Sequence, residues 1–349
     1  MRELVIVIPD LYLKPQGSGT APASALASGR FTGLEQAGRF GERSALTESW
    51  RAWLARWLPR EDLAQVAPAR IAAAVLAAPR AQSAEGVTQW IATPLHLIAG
   101  LSRVYLDHRG VLALSAAERG QLAARFAGTF GSSGYSLTPL PSGEFLLQTP
   151  GVAPLPTVEP ARCIGSDLVQ ALPQGVAAAA LRRLVAEIEM WLHAQPLNEA
   201  RQQRREPPVT TLWPWGAEGQ KLPLAAAATP GQLPLAFGRD AWLEGVWHLG
   251  GEACRAPPAR LDEVLVEARA PRAVLVAPVA AQLQGSPHSS AAEALARLDE
   301  RLIAPALAAL RRGRLARTTL ILNDVRVTLG RTSRFKLWRR QRAGLASFA

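Results

Sequence analysis

Leu4-Val5-Ile6-Val7-Ile8, closed by Pro9-Asp10, is the stretch on which the fold turns. Consecutive apolar, mostly β-branched residues leave no polar face for water. The run therefore reads as a strand buried on both sides, the habit of a parallel sheet covered by helices. An Asp just past the carboxyl end of such a strand stands where α/β folds place ligands and metals. It is equally the residue of a strand-ending turn. The run is also too short and too β-branched for a secretion signal.

Outward from this strand, periodic segments alternate. Thr318 to Leu322, ending at Asn323-Asp324, reads as a last buried strand, and Ala241 to Leu249, Glu263 to Val266 and Ala273 to Val279 as further strands. Thr47 to Leu58 sets Trp50, Trp53, Leu54 and Trp57 on one helical face at i, i+3, i+4 and i+7, a stripe that reads as core. Val66 to Arg80 predicts a helix blurred by Pro and Ala, and Gln174 to Gln195 an amphipathic helix ended by Pro196. Ser290 to Arg312 reads as one long helix with Gly313 as its C-terminal cap. The pattern predicts an α/β fold, a mostly parallel sheet with helices on both faces.

Between Thr93 and Pro150 the texture changes to short alternating runs. Arg103 to Leu106 and Val111 to Leu114 flank Asp107-His108-Arg109-Gly110, a hairpin signal. Ser115-Ala116-Ala117-Glu118 is a capping box opening a helix to about Phe130. A second hairpin, Tyr135 to Leu140 and Glu144 to Gln148, turns at Pro141-Ser142-Gly143. This predicts a small α+β domain at 93–165 inserted into a core of 1–92 and 166–349, with a basic C-terminal tail at 331–349. The chain of 349 residues is long enough for two domains of about 150 each.

Composition narrows the function classes. Hydrophobic residues make up 48% and charged residues 19%, enough apolar surface to fold rather than remain disordered. The net charge of +11 rests almost wholly on arginines scattered along the chain, only Lys14, Lys221 and Lys336 being lysine. It points weakly to an acidic ligand or partner. Cys163 and Cys254 are too few for a disulfide framework or a cysteine zinc site, which fits a reducing cytoplasm. No apolar run reaches the roughly 18 residues of a membrane span. Gly17-Ser18-Gly19 lacks the spacing and the Lys-Ser/Thr ending of a phosphate loop.

The most distinctive segment is Leu197-Asn198-Glu199-Ala200-Arg201 followed by Pro208-Val209-Thr210-Thr211-Leu212-Trp213-Pro214-Trp215-Gly216. It resembles the N-x-x-R and N-x-x-W-x-W-G segment of the archaeal-type cofactor-independent phosphoglycerate mutases, and more closely a bacterial offshoot, the RpfE-like regulatory proteins. Other pieces fall in the same order: Asp10 after the first strand, Leu34 to Arg39, Ala92 to Leu97, and Asp299 to Ile303. The resemblance implies an alkaline-phosphatase-like core and chemistry with two divalent metals and a serine nucleophile. Two cations would activate the hydroxyl and neutralise charge on the phosphoryl oxygens.

Against that pattern, Asp10 is followed by Leu11 rather than Gly, and Asp324 by Val325 rather than His. The strand expected to deliver a histidine near Ala277 has none. His288 is the remaining metal candidate, and no serine stands in a recognisable nucleophile context, Ser44 and Ser83 included. Asn198, Arg201, Trp213 and Trp215 are the candidates for a retained ligand pocket, Arg201 having the fork that suits a phosphate or carboxylate. Asn198 capping a chain reversal over packed tryptophans is the competing expectation. Three functions follow. The first is a catalytically degenerate relative with a regulatory or binding role, needing no cofactor, taking a phosphorylated or carboxylate small molecule or a protein partner. The second is an active mutase or phosphohydrolase using Mn²⁺ or Zn²⁺. The third is a nucleic-acid binder gripping through Arg331, Arg334, Lys336, Arg339, Arg340 and Arg342. Docking of Phe335 and Trp338 on the core is the stronger reading of that tail, because one short basic segment makes few phosphate contacts.

Overall fold

The structure, a computed structural model, describes residues 2–11, 31–58, 60–76, 86–100, 104–166, 168–222, 233–266, 271–284, 289–331 and 333. Its strands are β1 (Glu3–Ile8), β2 (Glu42–Ala45), β3 (Val87–Ala99), β4 (Val104–Val111), β5 (Ser136–Pro139), β6 (Phe145–Pro150), β7 (Thr211–Trp215), β8 (Leu235–Phe237), β9 (Arg272–Val276), β10 (Arg317–Leu322) and β11 (Val325–Gly330). They belong to two compact units. The first comprises 1–64, 232–238 and 253–349; the second comprises 65–231 and 239–252. The 93–165 segment lies wholly within the second unit, which extends beyond it on both sides.

The first unit is a mixed α/β unit around a six-stranded sheet of order β2-β11-β10-β1-β9-β8. Strand β1 lies between β10 and β9, parallel to both, and β8 is parallel to β9. β11 and β2 add an antiparallel edge. Leu4 through Ile8 are all fully buried, as a continuous apolar run in a central parallel strand requires. Leu4, Ile6 and Ile8 pack with Leu275, Leu320 and Leu322, and with Leu34, Leu298 and Leu307 from the helices, in one core.

The second unit holds an antiparallel sheet of order β4-β3-β6-β5, with β7 also paired to β3. β3 runs for 13 residues and pairs with β6, β7 and β4 along its length. The Ser115–Glu118 capping box forms with both hydrogen bonds, starting the helix Ala116–Phe130. The hairpin at Pro141-Ser142-Gly143 also forms, as β5 and β6.

Several elements differ from expectation. Asp107-His108-Arg109-Gly110 is no turn but the middle of β4, with Leu106, His108 and Gly110 buried at a two-residue period. Ala241–Leu249 is a helix, not a strand: Asp240 accepts from the Leu243 N–H at its start. Leu261–Val266 is likewise helical, with Asp262 and Glu263 favouring its first turn. The helix expected over Val66 to Arg80 is described only as Pro68–Ala73. The long final helix is Ala291–Leu298 and Ala304–Arg311 joined by a π-helical turn, Asp299–Ile303. Pro305 explains the interruption, because it has no N–H to continue the regular ladder. Gly313 follows with the left-handed φ of +76° expected of a C-terminal cap. Among the described residues no helix is long and apolar enough to cross a membrane.

Candidate functional site

In the first unit, β1 and β10 run parallel with Ile8 opposite Leu322, so Asp10 and the pair Asn323-Asp324 follow neighbouring strand ends. Asp10 is buried, and its Oδ1 and Oδ2 each accept a hydrogen bond at 2.7 Å, from the N–H groups of Val279 and Ala280. These are the first amides of the helix Val279–Leu283, so Asp10 satisfies donors that the helix itself leaves open. Asn323 takes a positive φ of 54°, and its Oδ1 accepts from the Leu11 N–H at 2.6 Å. Asp324 is half-buried in the turn to β11, where its carbonyl accepts from the Leu46 N–H. Ser44 lies on β2, its hydroxyl accepting from Arg326. His288 and Ser83 lie outside the described residues, as does the tail beyond Ser333. Among the described residues, no three His, Cys, Asp or Glu side chains are grouped to hold a metal.

A second carboxylate in this unit acts in the same manner. Asp299, fully buried in the π-helical turn, accepts from the N–H groups of Gly33 at 2.9 Å and Leu34 at 2.7 Å, at the start of the helix Thr32–Phe40. Burial pushes its carboxyl up to about 6, against the lowering effect of the two amides. A side chain on Gly33 would meet Asp299 Oδ1 at 2.5 Å and Ala304 N at 2.6 Å, so only glycine admits this contact. Two segments singled out in the sequence, Leu34 to Arg39 and Asp299 to Ile303, thus meet.

The second unit contains Asn198, Arg201, Trp213 and Trp215, all buried. Asn198 Nδ2 donates to the carbonyls of Leu192 and Val209, each at 2.9 Å, and its Oδ1 accepts from the Val209 N–H at 2.7 Å. Its amide therefore ties the end of the helix Ala179–His193 to the approach to β7. Arg201 Nε donates to the Pro207 carbonyl at 2.8 Å, and its Nη1 to Glu118 Oε1 at 2.9 Å. Burial raises the Glu118 carboxyl, but bonds from the Ser115 amide and hydroxyl and from Arg201 outweigh it, leaving Glu118 below its ordinary value. Trp213 and Trp215 join one core cluster, as residues two apart on a strand should. Their indole N–H groups donate to the Val158 carbonyl and to Thr93 Oγ1.

Trp215 leads to a group that sequence reasoning missed. Thr93 Oγ1, which accepts from Trp215, donates to Glu144 Oε1 at 2.6 Å. Glu144 and Asp240 both raise the nearby Glu244 carboxyl. Burial is the larger cause, taking Glu244 to about 7 despite Arg239 and a bond from the Ser142 amide. Its Oε2 is buried and has no hydrogen-bond partner among the described residues. Glu144 and Glu244 are a hundred positions apart in the chain, and no local spacing links them.

No family model matches the sequence, and no curated protein matches it. Solved structures show weak similarity. The cofactor-independent phosphoglycerate mutase from Thermoplasma acidophilum DSM 1728 is 13% identical with a TM-score of 0.35, over 94% of this chain and 89% of that one. The PH0037 protein from Pyrococcus horikoshii is 13% identical with a TM-score of 0.44, over 94% and 87%. Likenesses at these scores carry no functional argument, which rests instead on the residues.

Proposed function

We propose that this chain is a catalytically degenerate phosphoglycerate-mutase-like protein of the RpfE-like kind, with a regulatory or binding role. The observation that carries the reading is Asp10. It stands where the resemblance implies a metal ligand, yet both its oxygens accept backbone amides and hold the helix after β9. β9 ends at Val276 and is followed by Ala277-Pro278, without the histidine that the resemblance implies there. Two residues of the most distinctive segment support the reading: the Asn198 amide is engaged by the chain's own carbonyls and N–H, and Arg201 by Glu118.

The test is metal content after dialysis against Mn²⁺ and Zn²⁺, with phosphoglycerate mutase activity measured beside it. Asp10→Asn and Asp324→Asn are run in parallel, with circular dichroism as the folding control. The expected outcome is no stoichiometric metal and no turnover in any of the three proteins. About two metals per chain, lost in both variants together with turnover, would establish an active enzyme instead.

A further inference from the structure

A cavity of about 390 Å³ opens on the first unit, between the helices Thr32–Phe40 and Ala304–Arg311 and the end of β11. Gly330, in its wall, pairs with Arg317, the first residue of β10. The cavity therefore lies toward the opposite end of β10 from Asn323. Phe40, Leu307, Leu310 and Leu329 give it an apolar lining. Around it stand the exposed residues Arg39, Arg311 and Arg331. Arg311 donates to Gln36 Oε1 at 2.6 Å, and the Arg39 guanidinium lies 5.2 Å from the Phe40 ring centre. Among the described residues none of the three is ion-paired with a carboxylate.

The charges do not cancel. Among the described residues Glu35 is the only acidic one in the lining, and the two helix C-termini add roughly half a negative charge each. Three guanidiniums outweigh that sum. An inorganic anion would satisfy the arginines but leave the leucines wet, and a hydrocarbon would do the reverse. The volume lies near the lower end of the roughly 300–1,000 Å³ typical of small-molecule sites.

We propose that this pocket binds an amphipathic monocarboxylate of medium-chain fatty-acid type. The apolar body covers Leu307, Leu310 and Leu329, and the carboxylate sits among the guanidiniums, whose planar forks match it. The site goes beyond the proposed function and does not depend on it.

Calorimetric titration of the full chain with decanoate tests this, with 1-decanol, acetate and inorganic phosphate as separate arms. Decanoate should bind saturably at one site, more weakly as salt rises. The Arg311→Gln/Arg331→Gln variant, changed only at exposed positions, should weaken it about tenfold or more. Acetate and phosphate should show no binding, and decanol should bind at least about tenfold more weakly. Decanol as tight as decanoate, phosphate as tight as decanoate, or an unaffected double variant would each overturn the proposal. So would decanoate binding only after truncation at Ser333, which would make the chain's own tail the occupant.

Discussion

Asn198 engages three backbone groups through a single side-chain amide, the carbonyls of Leu192 and Val209 and the Val209 N–H. The Leu192 carbonyl also accepts from the Gln195 N–H, so Asn198→Ala takes the side-chain partner chiefly from the Val209 N–H and carbonyl and should destabilise the protein by about 1–3 kcal/mol. Asn198→Asp should also cost stability, because a carboxylate cannot donate to the two carbonyls. Urea unfolding of both variants checks this; an unchanged midpoint would show that the amide does not hold the chain reversal. At this scale the sequence was partly legible. Asn198, Arg201, Trp213 and Trp215 stand out by type and spacing, and Trp213 and Trp215 share a face as a strand requires. The partners of Arg201 and Trp215 were not legible, since Glu118 and Thr93 come from distant parts of the chain. The same holds for Glu144 and Glu244.

At the scale of elements, the helix Ala241–Leu249 is the instructive case. Six of its nine residues are buried, so its apolar positions fit a period of two as readily as one of 3.6, and periodicity alone misassigns it. The cap at Asp240 was the overlooked signal. Gly245 shows how closely this helix packs, because a Cβ there would run into the backbone carbonyl of Ile71, on the helix Pro68–Ala73. Gly245→Ala in an ordinary helix interior would stabilise by about 0.5–1 kcal/mol. Here it should destabilise by about 1–3 kcal/mol, because the added methyl forces backbone apart. The sign of the change in denaturation midpoint decides between the two. The capping box at Ser115 and the hairpin at Pro141-Ser142-Gly143 were legible because both are local, closed within a few residues.

At the scale of the whole molecule, burial holds an acid well above its ordinary value in each unit, Asp299 at about 6 and Glu244 at about 7, and raises Glu189 in the second unit as well. A carboxyl whose folded value is raised stabilises the fold fully below its unfolded value, near 3.8 for Asp299 and 4.5 for Glu244. That contribution is lost as pH rises through the folded value. Thermal stability should therefore increase as pH falls from about 8 toward 5, against the growing repulsion of a chain already at +11. Glu244→Gln should flatten the upper part of the profile and Asp299→Asn the lower part. A midpoint independent of pH in the wild type, with both variants parallel to it, would remove the two acids as its cause.

What the sequence determined by itself was the central strand, its two parallel neighbours at Ala273 and Thr318, and the elements whose start and stop signals are local. Leu4 to Ile8 could only be buried, because no residue in the run offers water a polar face. Only the tertiary structure decided which carboxylates cap which helices, where the arginine-rimmed pocket opens, and that β3 pairs with three strands along its length. Those outcomes depend on atoms that meet across tens to hundreds of residues. A hydrogen bond such as Asp10 to Val279 leaves no periodic trace in the chain that forms it.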